Sequence, residues 1–416
     1  MKKTSIYILL FLSFTGFAQE TVSLQECYAL VYKNYPLAKQ QHLLATQNEL
    51  NTAVLKTGYK PKINAAAQAT YQSDVIQIPI PNTSIEPLNK DQYKATLTLN
   101  QLLYNGGLID ATIKEKASEL KAAQKQVEVN LYQLKKQVNQ LYFSIVLAQD
   151  KKALVIAKQK LLRTKLHEIQ SGIKNGVLLP ASDKVIAAEL LKATQQIQEI
   201  DANKQVLVNR LSVLIGETIA ATNTFKSPKL IGNFDTEIKR PELELFQLKK
   251  EQLEATEKTL SKQNAPKVFG FATGGYGNPG LNMLDNSFQS FYIVGLKLNW
   301  NVFDWNANKK KRKALLINKD IINTQTEVFK LHTNTELQQL QTEFYKLEAF
   351  IKSDLEIIKL RKEVLKSVES QLKNGVVTTS AYLTELTNLF EDQTNLSTHQ
   401  TQLVLTKANY NVTKGQ

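Results

Sequence analysis

Cysteine is nearly absent: Cys27 is the only one in 416 residues. That excludes a disulfide framework and any cysteine-based metal site. Cys27 follows Gln25-Glu26 and does not sit directly behind the N-terminal apolar run, so it does not read as a lipid-anchor cysteine. It reads as a small buried hydrophobe. Histidine is also scarce. His42, His167, His332 and His399 are scattered without ligand spacing and read as solvated helix positions. No Walker, G-x-S-x-G or H-E-x-x-H pattern occurs, so no catalytic set, no metal centre and no cofactor is expected. Beyond the N-terminus no apolar run approaches the ~20 residues a transmembrane helix needs. Proline (10) and glycine (16) are few, while Gln, Lys, Leu and Ala are abundant, which favours long helices.

The chain opens with "MKKTSIYILLFLSFTGFAQE". Lys2 and Lys3 form a positive n-region, Ile6 to Phe14 an apolar h-region, and Gly16-Phe17-Ala18 a small-residue end. This is the pattern of a cleavable secretory signal over 1–18. A membrane anchor is the alternative, and the run is too short for it. The formal charge is +14. Export and the spread of Lys and Arg along helical polar faces exclude nucleic acid as a partner.

One unit is written twice. "IKNGVLLPAS" at Ile173 matches "LKNGVVTTSA" at Leu372, and "LTLNQLLYNGG" at Leu97 matches "LKLNWNVFDWN" at Leu296, both at a shift of 199. "YKPKINAAAQATY" at Tyr59 matches "NAPKVFGFATGGY" at Asn264, and "NYPLAKQQ" at Asn34 matches "KRPELELF" at Lys239, both at 205. The difference places an insertion between Tyr71 and Tyr93, a Pro- and Asn-rich segment that reads as a long exposed loop. Each copy runs helix (about 37–56; about 242–262), a proline break (Pro61, Pro266), two strands, a very long helix, a Lys-Asn-Gly turn, and a returning helix. The first repeat is expected over 19–220, with its β-hairpin at about 60–104 and its helical tip at about 171–182. A linker or equatorial segment follows at 221–238. The second repeat, 239–416, has its hairpin at about 266–303 and its tip at about 371–381.

The long helices carry a heptad seam. From Ile113 it steps by four and three through Ala117, Leu120, Gln124, Val127, Leu131, Leu134, Val138, Leu141, Ile145, Ala148, Lys152, Val155, Gln159, Leu162, Leu166 and Ile169, and it resumes through Ile186, Leu190, Ala193, Ile197, Ile200, Lys204, Leu207, Leu211 and Leu214. The second copy repeats it through Leu337, Leu340, Phe344, Leu347, Ile351, Ile358, Leu365, Val368 and Leu372, then Leu386, Leu389, Leu396 and Leu403. A narrow stripe of period 3.5 is a coiled-coil seam. At 1.5 Å per residue, ~65 residues extend roughly 100 Å. Gly176 and Gly375 cap these helices and fold each into an antiparallel pair.

The strands alternate. Ile63, Ala65, Ala67, Ala69 and Tyr71 oppose Asn64, Ala66, Gln68 and Thr70; Ala95, Leu97 and Leu99 oppose Thr96, Thr98 and Asn100. Tyr292, Val294, Leu296, Leu298 and Trp300 oppose Ile293, Gly295, Lys297 and Asn299. A soluble sheet over a core alternates too. Export, the repeat and the lack of other core material favour a membrane barrel, with lipid outside and water inside. Tyr59, Tyr71, Tyr93, Tyr104, Tyr276, Trp300 and Phe303 lie near strand ends, as interfacial girdles require. An open edge in lipid leaves backbone groups unpaired, so four strands must be closed by further copies.

The residues that carry these features resemble the TolC family of outer-membrane efflux proteins. "SLQECYALVYKNYP" is similar to the family's N-terminal helix, and "LNQLLYNGG" to its strand-to-helix junction Asn105, Gly106, Gly107. Both Gly-centred tips fit as well, so the resemblance spans nearly the whole mature chain. The second junction departs from the pattern with Asp304, Trp305, Asn306, and is expected to be less tight. The resemblance implies a mainly α fold with β: a homotrimer whose subunits each give four strands to a twelve-stranded outer-membrane barrel above a periplasmic helical tunnel. It implies a periplasmic adaptor protein and an inner-membrane transporter of the RND, ABC or MFS class as partners, and outer-membrane lipid around the barrel. The function implied is the outer-membrane channel of a tripartite efflux or type I secretion system. The competing reading is a periplasmic coiled-coil structural or adaptor protein without a channel.

Three site hypotheses follow. The tips Asn175, Gly176, Val177, Leu178, Leu179 and Asn374, Gly375, Val376, Val377, whose Val177, Leu178, Leu179, Val376 and Val377 are expected to be exposed, either dock adaptor hairpins or merely cap their helices. Asp183 either lines a constricted entrance as a carboxylate ring or belongs to a Ser182-Asp183 helix cap; Tyr382 stands at the equivalent place in the second copy. "NKKKRKA" at Asn308 either meets anionic headgroups or forms a solvated helix face.

Overall fold

The computed structural model describes residues 21–76, 86–230 and 237–416. The signal segment 1–18 and the centre of the expected insertion loop lie outside the described residues. Helices dominate. In chain order the elements are β1 (Thr21–Val22), α1 (Leu24–Asn34), α2 (Lys39–Lys56), β2 (Lys62–Tyr71), β3 (Asp91–Tyr104), α3 (Leu108–Lys174) and α4 (Ser182–Ile215), followed by β4 (Thr224–Phe225), α5 (Pro241–Lys262), β5 (Lys267–Asn278), β6 (Gln289–Asn299), α6 (Ala307–Lys373) and α7 (Thr379–Lys414).

The internal repeat is a repeat of backbone geometry. α3 and α6 each contain 67 residues, displaced by 199. Left-handed residues pair at the same displacement: Gly106 with Trp305, Gly107 with Asn306, Gly176 with Gly375, Gly216 with Gly415. Among the described residues only Ala181, at φ 77°, has no left-handed counterpart.

Two compact units form. The first gathers the described residues of 1–38, 129–240 and 330–416. Its larger core joins Val22, Cys27 and Val31 to Val138, Tyr142, Phe143 and Ile145 of α3, Leu211 and Ile215 of α4, Phe225 of β4, and Ala408 and Val412 of α7. The heptad seam foretells Val138, Ile145 and Leu211. It misses Tyr132, Tyr142, Phe143 and Val146, which lie off the stripe and are buried because α1 and the β1–β4 bridge cover a second face of α3. α1 starts at a capping box, with the Ser23 hydroxyl accepting from the Glu26 N–H at 3.2 Å. The pattern Ser-x-x-Glu announces this start. β1 and β4 are a two-residue parallel bridge, held by the Tyr142 hydroxyl donating to Val22 O at 2.9 Å and Lys226 O at 2.7 Å. The segment expected as a linker over 221–238 thus contributes Phe225, 3% exposed, to the core. Cys27 is fully buried as expected, and burial pushes its thiol up to about 12.

The second unit, residues 39–128 and 241–329, contains the sheet. Strand order is β2-β3-β5-β6, antiparallel throughout, so the central β3–β5 pair joins the two repeats. Pro61 and Pro266 precede β2 and β5 as the breaks predicted. The second hairpin ends at Asn299, short of the expected 303, so Trp300 and Phe303 follow the strand. Register confirms the alternation: Ala65 opposes Leu97, Leu97 opposes Gly274, and Gly274 opposes Tyr292 on one face. A bulge between Leu102 and Tyr104 locally bends the end of β3 next to its helix.

Candidate functional site: junctions, sheet faces and helical tips

At the first strand-to-helix junction, Tyr104 ends β3 and Leu108 starts α3. Gly106 (φ 65°) and Gly107 (φ 77°) turn the chain through two successive left-handed residues. Asn105 Oδ1 accepts the Gly107 N–H at 3.0 Å, and Asn105 O accepts Leu108 N–H at 3.3 Å. A Cβ at Gly106 would overlap the Ala265 side chain, which leads into β5. Glycine is therefore required there for space as well as for φ.

The second junction is not the looser turn expected from its missing glycines. Trp305 (φ 54°) and Asn306 (φ 60°) adopt the same left-handed pair. Asp304 O accepts Ala307 N–H at 2.9 Å, the counterpart of the Asn105–Leu108 bond. Asp304 Oδ2 also accepts from Asn308 N at 3.0 Å and from Asn264 Nδ2 at 2.5 Å. These bonds, the Asn308 N–H foremost, hold the Asp304 carboxyl below its usual range. Hydrogen bonds to a fixed carboxylate do what glycine does in the first copy, at the cost of left-handed strain in Trp305.

One face of the sheet carries Ile63, Leu97, Tyr292, Val294, Leu296 and Leu298, all exposed, Val294 by 72%. A largely apolar face left uncovered is not how a soluble sheet ends. Aromatics stand at both ends of the strands and all are exposed. Tyr59, Tyr104, Trp300 and Phe303 gather at the junction end, and Tyr71, Tyr93 and Tyr276 at the loop end. Phe288 stacks on both Tyr93 (6.2 Å) and Tyr276 (5.5 Å). Tyr59 also donates its hydroxyl to Asp110 at 2.9 Å.

The opposite face is polar in β2 and β3 but carries Phe269, Phe271 and Phe291 in β5 and β6. Two of these lie over cross-strand glycines: Phe271 opposes Gly295, and Phe291 opposes Gly275. The alternation marked glycines and aromatics separately; only the register shows that they pair.

The two tips share one cap and differ beyond it. Gly176 N donates to Ile173 O (3.1 Å) and Val177 N to Gly172 O (2.9 Å); Gly375 and Val376 repeat both bonds to Leu372 O and Gln371 O at 3.1 and 2.9 Å. Both are Schellman caps. Val177, Leu179 and Val376 are exposed, with Asn175 and Asn374 beside them. Leu178 and Val377, expected to be exposed, are instead half-buried against Leu162, Ile169, Ile186, Leu372 and Leu386. Each follows an exposed valine, and the cap turns it back onto the helices.

Tyr382 is likewise not an entrance residue in this fold. It is 1% exposed, at the centre of the same cluster, and burial pushes its hydroxyl up to about 12. Lys165 Nζ lies 5.6 Å from its ring centroid. Lys165 is itself buried, paired with Glu168 at 2.6 Å and with Glu369. Burial opposes its charge, but the two carboxylates hold its ammonium above the ordinary range. The heptad seam marked Leu162, Ile169, Ile186, Leu372 and Leu386 of this cluster, but no sequence motif marked the contact of Lys165 with Tyr382.

Asp183 is not part of an N-cap. Ala181 occupies that position and makes no side-chain bond, and α4 starts at Ser182. Asp183 sits in the first turn with one loose ion pair, to Lys184 at 3.4 Å. The second helix starts relatively earlier and is capped properly, with Thr378 Oγ1 accepting from Ala381 N at 3.2 Å. Among the described residues no group of His, Cys, Asp and Glu is arranged to hold a metal ion.

Neither a protein-family model nor a curated protein sequence matches the chain. Solved structures do. The outer membrane protein VceC of Vibrio cholerae is 16% identical, with a TM-score of 0.66 over 94% of this chain and 96% of that one. CusC, described with transmembrane channel formation, is 12% identical, with a TM-score of 0.69 over 94% and 92%. The open MtrE outer membrane channel of Neisseria gonorrhoeae is 14% identical, with a TM-score of 0.64 over 94% and 89%. At these identities the similarity establishes the fold alone, that of long helical hairpins with a four-stranded antiparallel sheet.

Proposed function

We propose that the chain is one subunit of a homotrimeric outer-membrane channel that passes small molecules or proteins outward from the periplasm. The observation that carries the reading is the sheet. Its apolar face is uncovered, aromatics stand at both ends, and the outer edges of β2 and β6 are unpaired among the described residues. Lipid would cover the face, and neighbouring copies would pair the edges. Three copies supply twelve strands, the closure that the resemblance to the TolC family implies. No helix among the described residues is long and apolar enough to cross a membrane. A periplasmic coiled-coil protein without a channel leaves the apolar face unexplained.

The tips are the proposed meeting point with a periplasmic adaptor, itself serving an inner-membrane transporter of the RND, ABC or MFS class. Exposed valines at equivalent places in both tips, Val177 and Val376, support this. The test of the whole reading is the migration of the outer-membrane fraction on a gel before and after heating. A heat-sensitive oligomer in that fraction is expected, and a soluble monomer would sink the reading. With Val177→Glu and Val376→Glu together, export should stop while the oligomer persists. Unaltered export would remove the docking role.

A further inference from the structure

The polar face of the sheet has a single sign of charge. Register places Lys62, Lys94, Lys267 and Lys297 on it: Lys62 opposite Asn100, Lys94 opposite Gly277, Lys267 opposite Asn299, and Lys297 opposite Phe269. Among the described residues no Asp or Glu shares that face. The one strand carboxylate, Asp91, opposes Tyr71 on the apolar face. Asp74, Glu86 and Asp285 lie in the connecting segments, outside the strands. No ion pair neutralises any of the four lysines among the described residues. Lys62, Lys94 and Lys297 are exposed, and Lys267 is half-buried.

Two aromatic rings lie flat on the same face. Phe291 lies across Gly275, where a Cβ would overlap its ring, and Phe271 across Gly295, where a Cβ would stand 2.9 Å from its ring. Glycine under each ring lets it lie flat on the sheet. Lys94 Nζ then sits 4.9 Å from the Phe291 centroid, so its charge is held against the wall by the ring's negative face.

We infer that the barrel interior is an anion-preferring filter, its lysines favouring negatively charged solutes during passage. This rests on the channel reading above, which makes the polar face the lumen. Rings of Lys or Arg select anions by raising their local concentration and repelling cations. Three subunits would repeat the set without a compensating strand carboxylate on that face.

The test is reversal potential across a potassium chloride gradient in planar bilayers, for the wild-type oligomer and for K94Q/K297Q. The chloride-to-potassium permeability ratio should fall severalfold in the variant, and the difference should grow at low salt, where screening weakens. If that pair does not assemble, K62Q/K267Q carries the same expectation. A ratio unchanged by removing lysines from a conducting oligomer overturns the inference and leaves the channel reading standing. Absence of any conducting unit from wild-type protein overturns the channel reading, and the inference with it.

Discussion

Gly106 and Gly107 are adjacent, both left-handed, and differ in what surrounds them. The space at Gly107 is open, whereas a Cβ at Gly106 would overlap Ala265, with the Ala265 Cα at 3.5 Å and Pro266 O at 3.8 Å. Alanine in a left-handed conformation costs about 1–2 kcal/mol. Reduced freedom of the unfolded chain returns about 0.4–1 kcal/mol. Gly107→Ala should therefore destabilise by roughly 1 kcal/mol. Gly106→Ala carries the same term plus overpacking of about 1–3 kcal/mol, and should cost about two to four times as much by that reckoning. Heat-dissociation midpoints of the purified oligomer, with circular dichroism for the unfolding step, measure both. Because the second term is a collision with Ala265, the double variant Gly106→Ala/Ala265→Gly should return close to the Gly107→Ala value. Equal effects of the two single substitutions, or no recovery in the double, would refute the steric half of the reasoning.

Three further outcomes are expected. Asp183→Ala should lower cation preference in single-channel recordings if the first-turn carboxylate lines the entrance; an unchanged preference would confine it to the helix dipole. Lys309, Lys310 and Lys311 crowd the first turns of α6, where the dipole disfavours positive charge, and all three are exposed. Replacing them with Gln should slow insertion into membranes containing anionic lipid, about 1 kcal/mol per charge; normal assembly would leave them a solvated face. Cys27 should resist maleimide in the folded protein and react on unfolding. Its pKa is raised by burial to about 12, so its contribution to stability is intact below the thiol's ordinary range and fades as pH climbs toward that value. Rapid labelling of the native protein at neutral pH would contradict this.

The repeat, the lengths of the long helices and the two faces of the strands are legible in the sequence because each is periodic or local. A heptad, an alternation and a Lys-Asn-Gly cap need no partner to be recognised. What was illegible depended on contacts across large separations. Leu178 and Val377 belong to apolar stretches that look exposed, and only the core around Leu162 and Ile186 shows that they turn inward. Tyr382 aligns with Asp183 by position, yet lies buried over Lys165. The β1–β4 bridge is two residues long on each side, too short for any pattern to mark.

By itself, the sequence determined that a β-strand must swing twice into a very long helix, at positions 199 apart, and each of those helices has 67 residues. Tertiary structure decided how the second swing is made. Without glycine, the left-handed turn at Trp305 and Asn306 holds because Asp304 gathers hydrogen bonds from Asn264 and Asn308. Backbone preference is written residue by residue, but the bonds that overrule it come from α6 and from the segment leading into β5, and those meet Asp304 only when the chain is folded.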